Sequence, residues 1–130
     1  MSKYKQGISI DGIYFDVPLV SIKRKADFLD KYAERTEDGD LKRELIGVYY
    51  NYQITFGVIN DDVTYDALYD KLTEPVEYHD FIIPTTGGYY RFRGYISNVS
   101  DEVYRITGDT AKFRGLQCKY TSKKPARIPQ

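Results

Sequence analysis

Hydrophobic and polar residues alternate most regularly over residues 46–58. Every second residue there is large and apolar or aromatic, and the residues between them are small or polar. The apolar set is Ile46, Val48, Tyr50, Tyr52, Ile54, Phe56 and Val58. Because successive side chains of a strand point to opposite faces, this period of two predicts a long strand with one buried face.

A second alternation surrounds the dipeptide Asp11-Gly12. This dipeptide favours a tight type I′ turn, because both central residues of that turn have positive φ. We therefore predict a hairpin whose strands cover residues 8–10 and 13–22. Pro18 has no backbone N–H to donate, so we expect it at an edge or a bulge of the sheet.

The period of the pattern changes after residue 58. Apolar residues then recur at spacings of three and four: Tyr65, Leu68, Tyr69 and Leu72. This spacing predicts one amphipathic helix. We expect Asp61 or Asp62 to be its N-cap and Pro75 to end it.

Three further strands are predicted over residues 76–83, 89–99 and 111–121. The first of them contains the run Phe81-Ile82-Ile83, which indicates burial on both faces. Residues 84–88 read as a turn, and residues 100–109 as irregular.

Strands and helices do not alternate along the chain, so the predicted sheet is mainly antiparallel. We expect a mainly β, α+β fold: an antiparallel β-sandwich or barrel flanked by the helix. The length of 130 residues and the even composition indicate a single domain over residues 1–122. Residues 123–130, with Pro125 and Pro129, are expected to form a flexible tail.

Residues 23–44, here called the charged segment, carry dense charges of both signs. Their large hydrophobic residues are few, and the segment is longer than most connections between strands. Two structures are open for it. Ala26, Leu29, Tyr32 and Ala33 have the spacing of a short amphipathic helix. Alternatively the flanking strands extend into a protruding hairpin with residues 37–40 at its tip, which we favour because the charges are too dense for burial.

Charge and cysteine content exclude some functions. The 19 basic and 19 acidic residues cancel, which argues against a surface that binds nucleic acid or membranes as a whole. Cys118 is the only cysteine, so an intrachain disulfide and a cysteine-based zinc site are excluded. The N-terminal residues lack an apolar signal region, and we expect a soluble chain that is not exported by itself.

Candidate catalytic groups are few. A catalytic interpretation would make His79, the only histidine, a general base beside Cys118, but no nucleophile motif surrounds that cysteine. A polar residue on a strand face is the simpler interpretation. The acidic residues are too numerous to single out a pair. We predict no enzyme activity, no catalytic residue, no metal site and no cofactor.

A ligand-binding module is the alternative function. Arg91 and Arg93 alternate with Tyr89 and Tyr95, a pattern that single-strand nucleic-acid binders use for charge and stacking. Together with Tyr49, these tyrosines would form a platform for carbohydrate or single-stranded nucleic acid.

Three segments resemble a family of small structural proteins of phages and prophages. They are Leu-Ile-Gly-Val-Tyr-Tyr-Asn-Tyr at 45–52, Val-Ser-Ile-Lys-Arg at 20–24, and Tyr-Asp-Ala-Leu-Tyr at 65–69 with the following Pro75. The similarity extends over nearly the whole chain to Pro-Ala-Arg-Ile-Pro at 125–129. The element order is also similar to the tail-tube fold of long-tailed phages, in which a long loop or hairpin between early strands reaches a neighbouring subunit.

The resemblance implies a structural component of a phage tail that assembles into rings, with hexamers favoured, around the tail channel. The implied partners are other copies of the chain and other phage tail proteins, with no membrane, and with nucleic acid only passing through the channel. The implied location is the virion tail, after assembly in the cytoplasm of the bacterial host. This chain is shorter than a full tube protein, so tube, terminator, distal-tail and baseplate roles stay open. The predicted assembly interface is Arg24, Asp27, Phe28, Tyr32, Arg35 and Glu37.

Overall fold

The computed structural model describes residues 7–129 and shows a series of strands interrupted by one helix. Residues 1–6 of the predicted domain and residue 130 of the predicted tail lie outside the described residues. In chain order the elements are β1 (Ile8–Ile10), β2 (Ile13–Phe15), β3 (Leu19–Arg35), β4 (Leu41–Phe56), α1 (Asp62–Leu72), β5 (His79–Thr85), β6 (Gly88–Thr107) and β7 (Thr110–Ser122). The prediction of a mainly β fold with one helix is confirmed.

All of these strands belong to one antiparallel sheet of seven strands, in the order β2-β1-β5-β6-β7-β4-β3. Strands β2 and β3 lie at its opposite edges, although only residues 16–18 separate them in sequence. A flat sheet of this size is about 29 Å wide, whereas the link from Phe15 to Leu19 spans at most about 14 Å. The sheet therefore curls until its two edges approach each other at this link.

The core lies on the inner face of the curled sheet. On β4, Tyr52, Ile54 and Phe56 are buried, as their alternation predicts, whereas Ile46 and Val58 of the same predicted face are exposed. The other buried hydrophobic residues are Ile8, Ile10, Phe15, Val17, Phe81, Ile83, Leu116, Cys118 and Tyr120, with Tyr65, Leu68 and Leu72 from α1. Each fully buried large side chain contributes about 1.5–3 kcal/mol, so α1 is held to the sheet mainly by its own apolar face.

Helix α1 begins and ends where the sequence predicts. The Val63 N–H donates a hydrogen bond to Oδ1 of Asp61 at 3.1 Å, and the Thr64 hydroxyl donates to Oδ2 at 2.7 Å. These bonds make Asp61 the N-cap. The last helical residue is Leu72, shortly before Pro75.

The first hairpin is confirmed at its turn but not in its second strand. Asp11 and Gly12 have φ values of 53° and 83°, as a type I′ turn requires. The predicted strand over residues 13–22 is wrong, because the chain leaves β2 after Phe15 and pairs with β4 from Leu19 onward. Pro18 lies in the link between them, where its carbonyl accepts a hydrogen bond from the N–H of Gly57 at 2.7 Å.

Two other boundaries differ from the prediction. Strand β5 starts at His79, and Ile82 on its outer face is only half-buried, so burial on both faces is not complete. The expected irregular segment over 100–109 is wrong, since β6 continues to Thr107 and pairs with β7 up to Thr110. Gly108, with φ of 60°, supplies the turn between them.

The charged segment forms a hairpin. Strands β3 and β4 stay paired from Leu19 and Phe56 to Arg35 and Leu41, so the alternative of a short helix is wrong. We call residues 25–51 the first arm, because they extend beyond Tyr52, which forms the last pair between β4 and β7 at this end. The strand from Tyr52 to Leu41 is about 36 Å long.

The other long hairpin, β6–β7, forms a second arm, which we define as residues 101–116. It extends beyond the last β4–β7 pair at the other end, Thr55 with Gln117. From Tyr52 to Thr55, β4 runs away from the first arm. The paired residues of β7, from Tyr120 to Gln117, run in the same direction in space, toward the second arm. The two arms therefore project from opposite ends of the sheet.

Residues 123–129, the tail segment, lie against the base of the first arm. The Val48 N–H donates to the carbonyl of Arg127 at 2.9 Å, and the Ala126 N–H donates to the carbonyl of Val48 at 2.8 Å. The Lys123 N–H donates to the carbonyl of Arg93 at 2.8 Å. The segment that the sequence predicts to be a flexible tail thus makes backbone hydrogen bonds to β4 and β6.

Candidate assembly surfaces

The tip of the first arm is a turn held by its own hydrogen bonds. The Thr36 N–H donates to the carbonyl of Asp40 at 2.7 Å, and Gly39 has a φ of 90° that favours glycine. The Arg35 guanidinium donates to the carbonyl of Gly39 at 2.9 Å. Hydrogen bonds from the Thr36 hydroxyl and the Asp40 backbone lower the pKa of Asp38. Arg35, a predicted interface residue, therefore shapes the tip.

Three of the predicted interface residues are open to solvent on this arm. Phe28 is 62% exposed and Tyr32 is 48% exposed, and Glu37 is exposed in the tip turn. The Arg43 guanidinium lies 5.7 Å from the centre of the Phe28 ring, and its Nε is 2.5 Å from Oδ1 of Asp30. Other exposed large apolar residues of this arm are Leu29, Leu41 and Ile46. These exposed apolar side chains on a hairpin outside the core make this arm a candidate contact surface.

The other two predicted residues, Arg24 and Asp27, have partners within the chain. The Arg24 guanidinium lies 5.7 Å from the centre of the Tyr50 ring. Oδ2 of Asp27 accepts a hydrogen bond from Asn51 at 2.6 Å, and Oδ1 of Asn51 accepts one from the N–H of Ser122 at 2.9 Å. Asp27 and Asn51 thus link the base of the first arm to β7, whereas Arg24 contacts Tyr50 of the same hairpin.

The second arm presents apolar side chains that the sequence analysis did not single out. They are 39–75% exposed and comprise Val103, Tyr104, Ile106 and Phe113. The Arg114 guanidinium lies 5.3 Å from the centre of the Tyr104 ring and 2.9 Å from Oε1 of Glu102. In the sequence, the dipeptide Gly108-Asp109 lies between two runs of alternating apolar and polar residues, a pattern that predicts a hairpin.

Helix α1 braces the base of the second arm. The Tyr65 hydroxyl donates to Oδ2 of Asp101 at 2.6 Å, and its ring stacks on Phe113 with centres 6.0 Å apart. Burial and the Asp101 carboxylate raise the pKa of Tyr65. Lys112 Nζ lies 2.8 Å from Oδ2 of Asp62 at the start of the helix. The second arm is thus fixed to the body through side chains.

The tail segment braces the first arm over a glycine. A Cβ at Gly47 would lie 2.6 Å from Cβ of Pro125 and 2.8 Å from the carbonyl oxygen of Arg127. Only a residue without a side chain permits this approach, and the approach positions the backbone bonds to Val48. The tail segment thus fixes the first arm through backbone contacts, in addition to the side-chain link from Asn51 to Ser122.

A basic groove crosses the outer face of the sheet near the base of the first arm. It has a volume of about 430 Å³ and is lined in part by Lys23, Lys25 and Lys119. The acidic residue of the lining, Asp27, is already bound by Asn51 and by Lys25 at 3.4 Å. Lys23 and Lys119 form no ion pair with the described residues. We call this site the basic groove.

The tyrosines of the alternative ligand platform share the outer face but do not cluster. Tyr89 and Tyr95 lie on β6 and are 48% and 43% exposed, with about 20 Å of strand between them. Tyr49 lies on β4 within the first arm and is half-buried. The Arg93 guanidinium is 3.3 Å from Oδ1 of Asp80. The structure therefore offers a broad surface rather than one pocket for these residues.

His79 belongs to a structural cluster. It is buried, and its Nδ1 lies 2.6 Å from Oδ2 of Asp11. Ligand atoms of Asp11, Glu74 and His79 lie within 4.8 Å of one another, a spacing that a metal ion accepts. Lys71 Nζ is, however, 3.2 Å from Asp11 and 3.0 Å from Glu74, so an ammonium group already forms ion pairs with both carboxylates. The cluster joins the end of α1 to the first hairpin.

The protonation of Asp11 reflects these contacts. Partial burial raises its pKa, but hydrogen bonds from the Asp80 backbone, His79 and Lys71 outweigh this and lower the pKa to about 2. The carboxylate is therefore ionised at neutral pH and holds its partners by charge-assisted bonds.

Cys118 and His79 do not form a catalytic pair. Burial raises the pKa of the Cys118 thiol to about 12, so a thiolate is strongly disfavoured. The residue of β7 in line with His79 is Ser122, two strands away across Gly94. Cys118 lies four residues further along β7, which separates the two side chains by more than about 10 Å.

No protein-family model, no curated protein and no solved structure matches this chain. Among residues 7–129, helix α1 is too short and too polar to cross a membrane.

Proposed function

We propose that this chain is a non-enzymatic structural protein that self-assembles, as a component of a phage or phage-derived tail such as a tail tube or a related tail protein. One observation carries the proposal: two long hairpins project from opposite ends of the sheet and expose apolar side chains that the described residues 7–129 do not cover. Exposed apolar side chains on such arms do not stabilise a free subunit, whereas a neighbouring subunit can bury them.

The arrangement of the arms favours head-to-tail contacts. Because they point in opposite directions, the surface that one copy offers at one end differs from the surface at its other end. Contacts between unlike surfaces generate rings when the rotation between copies closes, and open filaments when it does not. A ring, with the hexamer favoured by the resemblance to tail proteins, is the assembly that we propose.

The chemistry of the polar clusters supports a structural role. The histidine is held by Asp11, which is itself ion-paired with Lys71, and the cysteine is buried with a raised pKa. Neither group has the exposure that a reacting residue needs.

Shortening the first arm tests the proposal. Residues 30–46 are replaced by Asn-Gly, because Leu29 and Gly47 are paired and this dipeptide closes a two-residue hairpin. We expect the wild-type chain to form rings or tubes, and the shortened chain to be monomeric, as measured by mass in solution and electron microscopy of the same samples.

Val63→Ala is the matched control, because Val63 is 77% exposed on α1 and lies outside both arms. It should assemble like the wild type. Unfolding midpoints of all variants verify that the core is intact. A wild-type chain that stays monomeric at high concentration contradicts self-assembly, and unchanged assembly of the shortened chain contradicts the role of the arm.

A ligand-binding module is the second candidate, because Tyr89 and Tyr95 share an exposed face with the basic groove. Titration with a labelled oligothymidylate and with oligosaccharides tests it. Saturable binding that is lost in Tyr95→Ala and kept in Tyr32→Ala favours this function, and no binding at high concentration removes it.

A further inference from the structure

Building on the proposed self-assembly, we infer that the acidic tip of the first arm binds the basic groove of a second copy of this chain. This contact would be the one that sets the direction of assembly.

The tip carries more acid than it neutralises. Glu34, Glu37 and Asp40 form no ion pair with the described residues, and all are exposed. Asp38 adds a carboxylate whose lowered pKa keeps it ionised. Arg35 is the single base among residues 34–40. The tip therefore carries a net negative charge at the end of the hairpin. The hydrogen bonds of its turn fix its conformation.

The basic groove has the complementary character. Lys23 on β3 and Lys119 on β7 both pair with Gln53 of β4, so the two lysines lie on either side of it on one face. No described carboxylate forms an ion pair with them. The amides of Asn51 and Gln53 and the hydroxyl of Thr121 also line the groove. Such a mixture of ammonium and amide groups suits carboxylates, which accept hydrogen bonds only.

The tip and the groove of one chain do not meet. Lys23 and Arg35 lie on the same strand, separated by about 40 Å of backbone that is paired with β4. A paired hairpin does not fold back on itself without breaking its ladder. The complementary surfaces therefore have to come from different copies.

Contact between unlike surfaces also explains the polarity of the assembly. Each copy donates one tip and accepts one tip, so every addition leaves a free tip at one end and a free groove at the other. When the copies close into a ring, the last free tip binds the last free groove. Because the charges lie at the surface, assembly should weaken as salt is raised through the physiological range.

Charge reversal on each side tests the contact. The tip variant is Glu34→Lys with Glu37→Lys, and the groove variant is Lys23→Glu with Lys119→Glu. Each should remain monomeric at concentrations where the wild type assembles, a loss of at least tenfold in association. The combined variant, whose net charge equals that of the wild type, should assemble again.

A mixture of the two single-sided variants sharpens the test. The intact tip of the groove variant fits the intact groove of the tip variant, and the reversed tip of the tip variant fits the reversed groove of the groove variant. The mixture should therefore assemble with the two variants alternating in equal numbers, as mass measurement shows, whereas each variant alone stays monomeric. The control variant is Asp66→Lys with Asp70→Lys. It changes the net charge by the same amount as the tip variant, but on α1, and it should assemble normally.

Failure of this inference differs from failure of the proposed function. Unchanged assembly of both single-sided variants, or no recovery in the combined variant, overturns the contact while self-assembly stands. A monomeric wild type overturns both. Saturable binding of an oligothymidylate to the groove in a wild type that does not assemble assigns the groove to a ligand instead.

Discussion

The first arm and the second arm are both antiparallel hairpins that run past the body of the sheet, yet they are attached to it differently. The second arm is fixed by side chains of α1, through the Tyr65 hydroxyl and ring. The first arm is fixed by the backbone of the tail segment at Val48. The comparison teaches that a sheet can carry two long hairpins if each has a brace of its own, and that each brace can be removed separately.

The largest effect is expected from Leu68→Ala. Leu68 is fully buried where α1 packs on the sheet, so the substitution should cost about 2–5 kcal/mol in the free energy of unfolding. Urea unfolding measures the cost. Because α1 braces only the second arm, hydrogen exchange of residues 101–113 should rise more than that of residues 25–35. Equal changes in both arms would break the comparison.

Gly47→Ala should loosen the first arm. The added Cβ collides with Pro125 and with the carbonyl of Arg127, so the tail segment moves and the bonds to Val48 are lost. We expect a loss of about 1–3 kcal/mol and faster exchange of the Val48 amide. Gly39→Asn, at the tip and away from the tail segment, is the control. Unchanged exchange at Val48 would contradict the proposed brace.

Tyr65→Phe should loosen the second arm alone. It removes the hydrogen bond to Asp101 and keeps the ring against Phe113, at a cost of about 1–2 kcal/mol. Nuclear magnetic resonance should show shifts on β6 and β7 near residues 101–113. Tyr104→Phe, on the same arm but without a hydrogen bond or ring contact to α1 among the described residues, should be silent. Shifts that spread to residues 25–51 would show that the arms are coupled.

Acid should affect the two arms unequally through Asp11. Its pKa is lowered to about 2 in the folded chain, so its contribution to stability is present above pH 4 and is lost as the pH falls toward 2. Its side chain is 31% exposed, and solvent screening limits the contribution to about 1 kcal/mol. Because Asp11 contacts Lys71 of α1, the second arm should loosen first. Asp11→Asn should flatten this part of the pH profile, which urea unfolding between pH 5 and pH 2.5 measures.

Local patterns allowed much of the fold to be predicted. Alternation identified β4, the Asp11-Gly12 dipeptide identified a turn, and the spacing from Tyr65 to Leu72 identified α1. Each of these depends on neighbours in sequence. The link at residues 16–18 was missed because its turn depends on the burial of Val17 under distant strands.

The candidate surface was predicted only in part, for a similar reason. The density of charge in residues 23–44 was enough to favour a protruding hairpin. The basic groove was not visible, since Lys23 and Lys119 are 96 positions apart in sequence and meet only through β4. The second arm was missed because the polar residues 100–102 interrupt its alternation, where bulges shift the register.

The tail segment also bears on the order in which the structure can form. Residues 123–129 follow every strand of the described sheet in sequence, whereas β3 and β4 are neighbours and can pair early. During synthesis the first arm is therefore exposed before its brace exists. Its many charges would keep the nascent hairpin soluble in that interval. An arm that is positioned only after the last strand has been made would also delay contact between copies until each subunit has folded, which protects the assembly from incomplete chains.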